Sequence, residues 1–289
     1  MLLSVKNLTM KFGGVVALNQ VSFGVEEGSI TALIGPNGAG KTTAFNCITG
    51  FYKASSGELS LAQKDGDSIN LLAILGEKFQ LADFVNPVSL VRRLYYKMFG
   101  GAHRVTRAGV VRTFQNVRLF KEMTVMENLL VAQRQRVNHN LIAGMIKSSA
   151  FENAEANAVA KGAEWLDFFG ILDSANRLAG ELPYGDQRRL EIARALCTEP
   201  QLICLDEPAA GLNPKETQQL NSHIRKLRDD FNITVLLIEH DMGLVMDISD
   251  HVVVLDHGEV IATGTPQEVQ NNEKVLQAYL GLTDEEEVA

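Results

Sequence analysis

The residues with the clearest chemistry lie between Gly35 and Thr42, where the sequence reads GPNGAGKT. This stretch fits the phosphate-binding pattern G-x-x-x-x-G-K-[ST] at every fixed position, and it follows the apolar run Ile30–Ile34 and precedes a helix-compatible segment, 42–49. The glycines let backbone N–H groups point at phosphate oxygens, while Lys41 can reach the outer phosphates and Thr42 can hold Mg²⁺. The motif therefore predicts a nucleoside triphosphate site. Its predicted lining residues are Gly35, Pro36, Asn37, Gly38, Ala39, Gly40, Lys41, Thr42 and Thr43.

A second pair of candidates, Asp206 and Glu207, ends the apolar run Leu202–Leu205. Parallel strands in nucleotide-binding folds place their carboxyl ends beside the ligand. We therefore expect Asp206 to face an Mg²⁺ ion held through Thr42, and Glu207 to face the attacking water.

A third segment, 182–196, reads as a turn that opens directly into an amphipathic basic helix. Here the chain resembles the ATP-binding subunits of ABC transporters, whose signature reads roughly L-S-G-G-Q. Four residues occupy most of the signature position: Tyr184, Gly185, Asp186 and Gln187. Gly185 and Gln187 match the family pattern, whereas the other two do not. The resemblance implies that this loop grips the γ-phosphate held by a second subunit, and because a tyrosine hydroxyl lies further from the backbone than a serine hydroxyl, we expect main-chain N–H groups to make that contact.

The resemblance assigns roles to further positions. It implies that Phe12 stacks on adenine, that Gln115 couples the Mg²⁺ site to the membrane partner, and that His240 contacts the γ-phosphate. Asn213 stands where the family usually has aspartate, which removes a charge at the expected dimer interface. The candidate catalytic residues are Lys41, Gln115, Glu207 and His240, and the candidate metal ligands are Thr42, Gln115 and Asp206.

Within this family the chain is most similar to ATP-binding subunits of branched-chain amino-acid importers, chiefly over 112–120, 123–132 and 205–214. The similarity implies ATP and Mg²⁺ as cofactors, transmembrane permease subunits and a second ATP-binding subunit as partners, and an indirect partnership with a periplasmic or extracellular substrate-binding protein. It also implies a place at the cytoplasmic face of the plasma membrane. Whether the two ATP-binding subunits are identical stays open. The alternatives are a subunit of a lipid or polysaccharide exporter and a non-transport ATPase acting on nucleic acid or ribosomes.

Composition narrows these alternatives. The chain has 289 residues, is 46% hydrophobic and carries a net charge of −8, which argues against a disordered chain and against sequence-independent nucleic-acid binding. It contains no run of about 18 apolar residues and no evident secretory signal, so the cytoplasm is the expected location. Three cysteines lie in apolar segments and are expected to be reduced core residues: Cys47, Cys197 and Cys204. Four arginines form one candidate basic patch for nucleic acid, and we favour their interpretation as a solvated face: Arg104, Arg107, Arg112 and Arg118.

The predicted fold class is α/β: a RecA-like P-loop NTPase with a mostly parallel sheet, an antiparallel β-subdomain and an inserted helical subdomain. We expect one domain over 1–289, with 1–115 and 188–258 forming the β-subdomain and nucleotide core. Residues 116–187 are predicted to be helical, and 259–289 a C-terminal extension with an acidic tail at 284–287. Four short strands are expected to form the antiparallel sheet: Leu3–Val5, Val15–Leu18, Val21–Phe23 and Ile30–Ile34.

One segment, about 61–104, fits the family pattern poorly. It contains two apolar stretches, 69–75 and 90–99, that need a partner surface. A lid, a contact surface for a transmembrane subunit and an insertion that covers the sheet edge are all compatible with its sequence.

Overall fold

The computed structural model describes residues 1–63, 66–75, 101–133 and 149–280. Within these ranges the strands are β1 (Leu3–Phe12), β2 (Val15–Val25), β3 (Ile30–Ile34), β4 (Ser56–Ala62), β5 (Ser68–Asn70), β6 (Val110–Arg112), β7 (Leu202–Asp206), β8 (Thr234–Ile238), β9 (His251–Asp256) and β10 (Glu259–Gly264). The helices are α1 (Lys41–Ile48), α2 (Leu71–Ile74), α3 (Ala102–Arg107), α4 (Val125–Gln133), α5 (Ser149–Phe168), α6 (Tyr184–Leu196), α7 (Pro214–Asp229), α8 (Met242–Ile248), α9 (Pro266–Gln270) and α10 (Glu273–Leu280).

The larger sheet has the strand order β10-β9-β3-β8-β7-β6. Its neighbours pair in parallel from β9 to β6, and β10 joins β9 as an antiparallel edge strand. Every residue of β3, β7 and β8 is buried. Such unbroken apolar runs are typical of parallel strands covered on both faces, so the prediction of a mostly parallel sheet is confirmed.

The smaller sheet is antiparallel and has the order β2-β1-β4-β5. Two expectations about it were wrong. The predicted strands at 15–18 and 21–23 are one continuous strand, β2. Ile30–Ile34 is not part of this sheet but the centre of the larger one, because Ile30 pairs with Val235 of β8 and Thr31 with His251 of β9. A strand buried on both faces belongs in a covered parallel sheet, and the alternation expected of a sheet with one solvated face is missing from it.

The described part of the atypical segment extends this smaller sheet. Strand β5 pairs with β4 from Asn70 opposite Ser60 to Ser68 opposite Ala62. The Asn70 side chain then caps α2 by accepting a hydrogen bond from the Ala73 N–H at 3.1 Å, and Leu71 is buried in the core. This part therefore covers the sheet edge. Residues 76–100, with the apolar stretch 90–99, lie outside the described residues, as does the acidic tail at 284–287.

Within 116–187, the part of the chain predicted to be helical, the structure has α4 and α5. The apolar side of α6 is buried in the core through Leu190, Ala193 and Leu196. The cysteines are free and buried, as predicted, and burial raises the pKa of each thiol to about 12. No helix in the described parts of the chain is long and apolar enough to cross a membrane.

Candidate functional site

The phosphate loop joins the carboxyl end of β3 to the first turn of α1. Gly35 has φ +147°, and a Cβ atom there would lie 2.0 Å from the carbonyl oxygen of Leu255, so only glycine fits. Lys41 is buried, and its Nζ donates to the carbonyl oxygens of Gly35 at 2.7 Å and Pro36 at 2.9 Å. Burial lowers the pKa of Lys41, and the nearby Glu207 carboxylate opposes that shift. The loop thus holds the lysine amine beside its own backbone.

Strand order brings the other candidates to this loop. Lys41 follows β3, His240 follows β8, Glu207 follows β7 and Gln115 follows β6. These four strands are neighbours in the order β3-β8-β7-β6 and run in parallel, so the residues after them gather along one edge of the sheet. A cavity of about 270 Å³ lies there, lined by Ala17, Asn37, Gly38, Ala39, Gly40, Lys41, Thr42, Thr43, Glu207 and His240.

Both carboxylate oxygens of Glu207 have partners. The Gln115 amide Nε2 donates to Oε2 at 2.7 Å, and His240 Nε2 lies 2.9 Å from Oε1. The backbone of Glu207 has φ +46°, a left-handed conformation rare for a residue with a side chain, and its N–H donates to the carbonyl of Ile238 at 2.9 Å. A strained backbone and two side-chain contacts therefore fix this carboxylate at the cavity wall.

Asp206 is held by Arg112, which we expected on a solvated face. Arg112 donates from Nη2 to Asp206 Oδ2 at 2.5 Å and from Nη1 to Asn46 Oδ1 at 2.5 Å. Only 5% of the Arg112 side chain and 7% of the Asp206 side chain are exposed. The expectation that Arg112 lies on a solvated face was therefore wrong, although Arg107 and Arg118 are exposed. The reason is register: β6 pairs with β7 so that Arg112 lies opposite Cys204, two residues before Asp206.

Arg188, on α6, is a structural residue of the site that the sequence analysis did not identify. Its side chain is fully buried and is paired with Glu191 at 2.9 Å. The guanidinium also donates to four backbone carbonyls, those of Phe114, Gln115, Glu207 and Pro208. It therefore ties the segment carrying Gln115 to the end of β7. Its sequence context, a basic pair in a solvated-looking helix turn, gave no signal of burial.

The candidate signature residues lie away from this cavity in the single chain. None of the described residues lining it comes from 184–187. Tyr184 is 43% exposed, Asp186 forms an ion pair with Arg189 at 3.0 Å, and Gln187 Nε2 donates to the carbonyl of Leu182 at 2.8 Å. The polar side chains at 186 and 187 therefore bond within their own segment.

Two other family positions have structural partners. The exposed ring of Phe12 meets Tyr52 edge-on with ring centroids 5.3 Å apart, and Phe12 is not among the described residues that line the cavity. Asn213 caps α7: its Oδ1 accepts from the Glu216 N–H at 3.0 Å, and its own N–H donates to the Glu216 carboxylate at 2.9 Å. Asparagine caps a helix as well as aspartate does, which accounts locally for this departure from the family pattern.

A phosphate loop between a strand and a helix, with a held carboxylate at the adjacent strand end, defines a P-loop nucleotide-hydrolysing protein. Comparison with known proteins agrees. The ABC transporter family matches residues 18–210, and the family described as branched-chain amino acid ATP-binding cassette transporter matches 259–284. A crystal structure of a nucleotide-free ATP-binding cassette from an ABC transporter superposes with a TM-score of 0.72 at 32% identity, covering 96% of this chain and 98% of that one.

Several curated relatives match along almost the whole chain. The high-affinity branched-chain amino acid transport ATP-binding protein BraF of Pseudomonas aeruginosa is 50% identical over 280 residues, which cover 97% of this chain and 98% of BraF. The corresponding protein LivG of Escherichia coli is 48% identical with the same coverage. A probable LivG of Archaeoglobus fulgidus is 34% identical over 288 residues, 99% of this chain and 97% of that protein. The chain therefore belongs to the ABC transporter family, as an ATP-binding cassette that hydrolyses ATP.

Proposed function

We propose that this cassette powers a membrane importer of branched-chain or other hydrophobic amino acids by hydrolysing Mg²⁺-bound ATP. The observation that carries the proposal is the Glu207 carboxylate, held between Gln115 and His240 at the wall of the cavity that contains Lys41. The amino-acid cargo rests on similarity to BraF and LivG.

The chemistry follows from the positions of these side chains. Lys41 exchanges its backbone carbonyl partners for the β- and γ-phosphates of ATP. Glu207 positions the attacking water and accepts its proton, and the contacts from Gln115 and His240 keep the carboxylate turned toward the cavity. The His240 side chain is 47% exposed at the cavity, where it can also contact the γ-phosphate. Catalysis is then largely positioning and electrostatic stabilisation.

The residues present fit a magnesium ion. Thr42 offers a hydroxyl, Asp206 a carboxylate and Gln115 an amide oxygen, and such hard oxygen donors suit Mg²⁺ together with phosphate oxygens. When bound, the ion neutralises charge that develops on the phosphates. Thr42 is exposed at the start of α1, beside the phosphate loop, and is the expected direct ligand.

We further propose that two cassettes close around ATP, each offering its signature loop to the nucleotide of the other. The first-turn N–H groups of Tyr184 and Gly185 have no intrahelical acceptor by the geometry of a helix, so they are suited to grip a γ-phosphate. The side chains of Asp186 and Gln187 already hydrogen-bond to Arg189 and to the Leu182 carbonyl, which supports phosphate binding by main-chain N–H groups instead. Phe12 stacks on adenine after its ring turns from Tyr52.

The proposed partners are transmembrane permease subunits, a second ATP-binding subunit and, indirectly, an extracytoplasmic substrate-binding protein. The protein is placed at the cytoplasmic face of the membrane through those permeases. The proposed organisation keeps 1–115 and 188–258 as the β-subdomain and nucleotide core, 116–187 as the helical subdomain and 259–289 as the C-terminal extension. Strand β10 attaches the start of that extension to the larger sheet.

The test is purification of the tagged protein from detergent-solubilised membranes of its own host, followed by mass spectrometry and an ATPase assay. We expect two polytopic membrane subunits and an amino-acid-binding protein to co-purify. The complex, reconstituted in vesicles with that binding protein, should accumulate radiolabelled leucine when Mg²⁺ and ATP are inside. A Lys41→Ala variant is the matched control: it should keep the partners and lose transport. Exporter subunits, or nucleic-acid-binding proteins alone, would contradict the proposal.

A further inference from the structure

Arg112 is a buried cation beside a candidate metal ligand. It contacts Asp206 and Asn46 with its two terminal nitrogens, and its guanidinium carbon lies 5.7, 5.7 and 5.2 Å from the ring centroids of Phe45, Phe51 and Phe114. Its Nε is buried without a hydrogen-bond partner. The side chain is therefore held by its two terminal hydrogen bonds and by the three rings, while its Nε–H stays without an acceptor.

The ion pair with Arg112 neutralises the buried carboxylate of Asp206. A buried carboxylate needs a counter-charge, and among the described residues Arg112 is the side chain that bonds it. A metal ion approaching Asp206 therefore meets a carboxylate that is already neutralised, with the Arg112 guanidinium bonded to its Oδ2. Both effects weaken attraction of a divalent cation to the protein alone.

We propose that Arg112 is a positioning residue that supplies the counter-charge of Asp206 while no metal ion is bound, and thereby raises the Mg²⁺ concentration at which the site fills. Nucleotide phosphates bring the additional negative charge, so the metal ion enters with ATP rather than ahead of it. The inference rests on the proposed Mg²⁺–ATP site, and it concerns a residue with no part in the hydrolysis steps above.

The experiment compares Arg112→Gln, which removes the charge but keeps a donor, with wild type and with Arg118→Gln. Arg118 is a matched control because its guanidinium also lies over the Phe114 ring, at 4.1 Å, but it is exposed. Binding of a fluorescent ATP analogue to the full chain is measured across a buffered series of free Mg²⁺. Melting temperature is recorded in chelator and in saturating Mg²⁺ with the analogue. Arg112→Lys, which keeps the charge and loses the planar fork, is the second variant.

For Arg112→Gln we expect the half-saturating free Mg²⁺ to fall by at least about threefold, because a positive charge near the ion is gone. Its melting temperature should be lowered in chelator, with much of the deficit recovered in Mg²⁺ and analogue. For Arg118→Gln and Arg112→Lys, the half-saturating free Mg²⁺ concentration should stay within about twofold of wild type. If Arg112→Gln does not fold, the double variant Arg112→Gln with Asp206→Asn replaces it, because it buries neither charge. Its midpoint should lie below that of Asp206→Asn alone, which keeps the arginine charge without the carboxylate.

An unchanged or higher midpoint in Arg112→Gln would overturn the proposal, as would an equal shift in Arg118→Gln or Arg112→Lys. A half-saturating free Mg²⁺ concentration in the double variant that equals or exceeds that of Asp206→Asn would also overturn the proposal. An equal loss of melting temperature with and without metal would overturn it in favour of a packing role only. Failure of the proposed function is distinguishable, because wild-type protein would then show no Mg²⁺-dependent binding of the analogue.

Discussion

Replacing Arg188 with methionine tests how the site is held together. The arginine side chain has no exposed surface, forms an ion pair with Glu191 and donates to four backbone carbonyls from two separate segments. Methionine fills similar volume but removes the donor from the carbonyls of Phe114, Gln115 and Pro208, while that of Glu207 keeps the Ala210 N–H at 3.2 Å. It also removes the ion-pair partner of the buried Glu191 carboxylate, which keeps the Arg118 N–H at 3.1 Å. Removing one partner of a buried ion pair costs about 3–5 kcal/mol. In a chain of this size each kcal/mol shifts the melting temperature by about 2–4 °C, so a fall of roughly 10 °C is expected.

The assay is chemical and thermal unfolding of the purified chain, with ATPase activity measured in parallel. Arg189→Met is the matched control, because Arg189 is the next residue of the same helix and its pair with Asp186 is partly exposed. Such a pair is worth about 0–1 kcal/mol, so the control should stay within that range. Activity of Arg188→Met at a temperature where it is folded should also fall, since its contacts position the Gln115 and Glu207 backbones. A loss below about 1 kcal/mol with unchanged activity would refute this reasoning.

Three further predictions concern separate parts of the chain. Glu207→Gln should bind ATP and trap a dimer but hydrolyse it at least about 100-fold more slowly, because an amide cannot take the proton; ordinary phosphate release would contradict the role of Glu207. Burial lowers the pKa of His223 in the folded chain. As the pH drops below about 6.5, the unfolded chain therefore binds a proton that the folded chain does not, and the free energy of unfolding decreases. His223→Phe should flatten that fall in urea titrations from pH 7 to 5, whereas the same curve in His257→Gln, at a 96% exposed side chain, should match wild type. Gly35→Ala should abolish ATP binding and lower the melting temperature more than Gly38→Ala, since a Cβ at Gly38 meets nothing within 4 Å; equal effects in calorimetry would disprove the steric argument.

Much of the site could be predicted because its signals are local. The phosphate loop is eight contiguous residues whose types suffice to define its chemistry, and Asp206 and Glu207 follow an unbroken apolar run that can only be buried. Helix α6 follows from a turn that opens into an amphipathic segment. The resemblance to ABC cassettes then identified Gln115 and His240, whose spacing alone carries no chemistry.

What the tertiary structure decided is which distant segments meet. Strand order, not sequence order, places the residue after β6 beside the residues after β7, β8 and β3, and it makes β3 the centre of the parallel sheet rather than part of the antiparallel one. The burial of Arg112 and Arg188 could not be predicted from the sequence either. A charged side chain is solvated by default, and it becomes buried only where a carboxylate and several carbonyls from other segments converge on it. Sequence by itself therefore determined the chemistry of the nucleotide site, while three-dimensional packing decided which charges hold it in place.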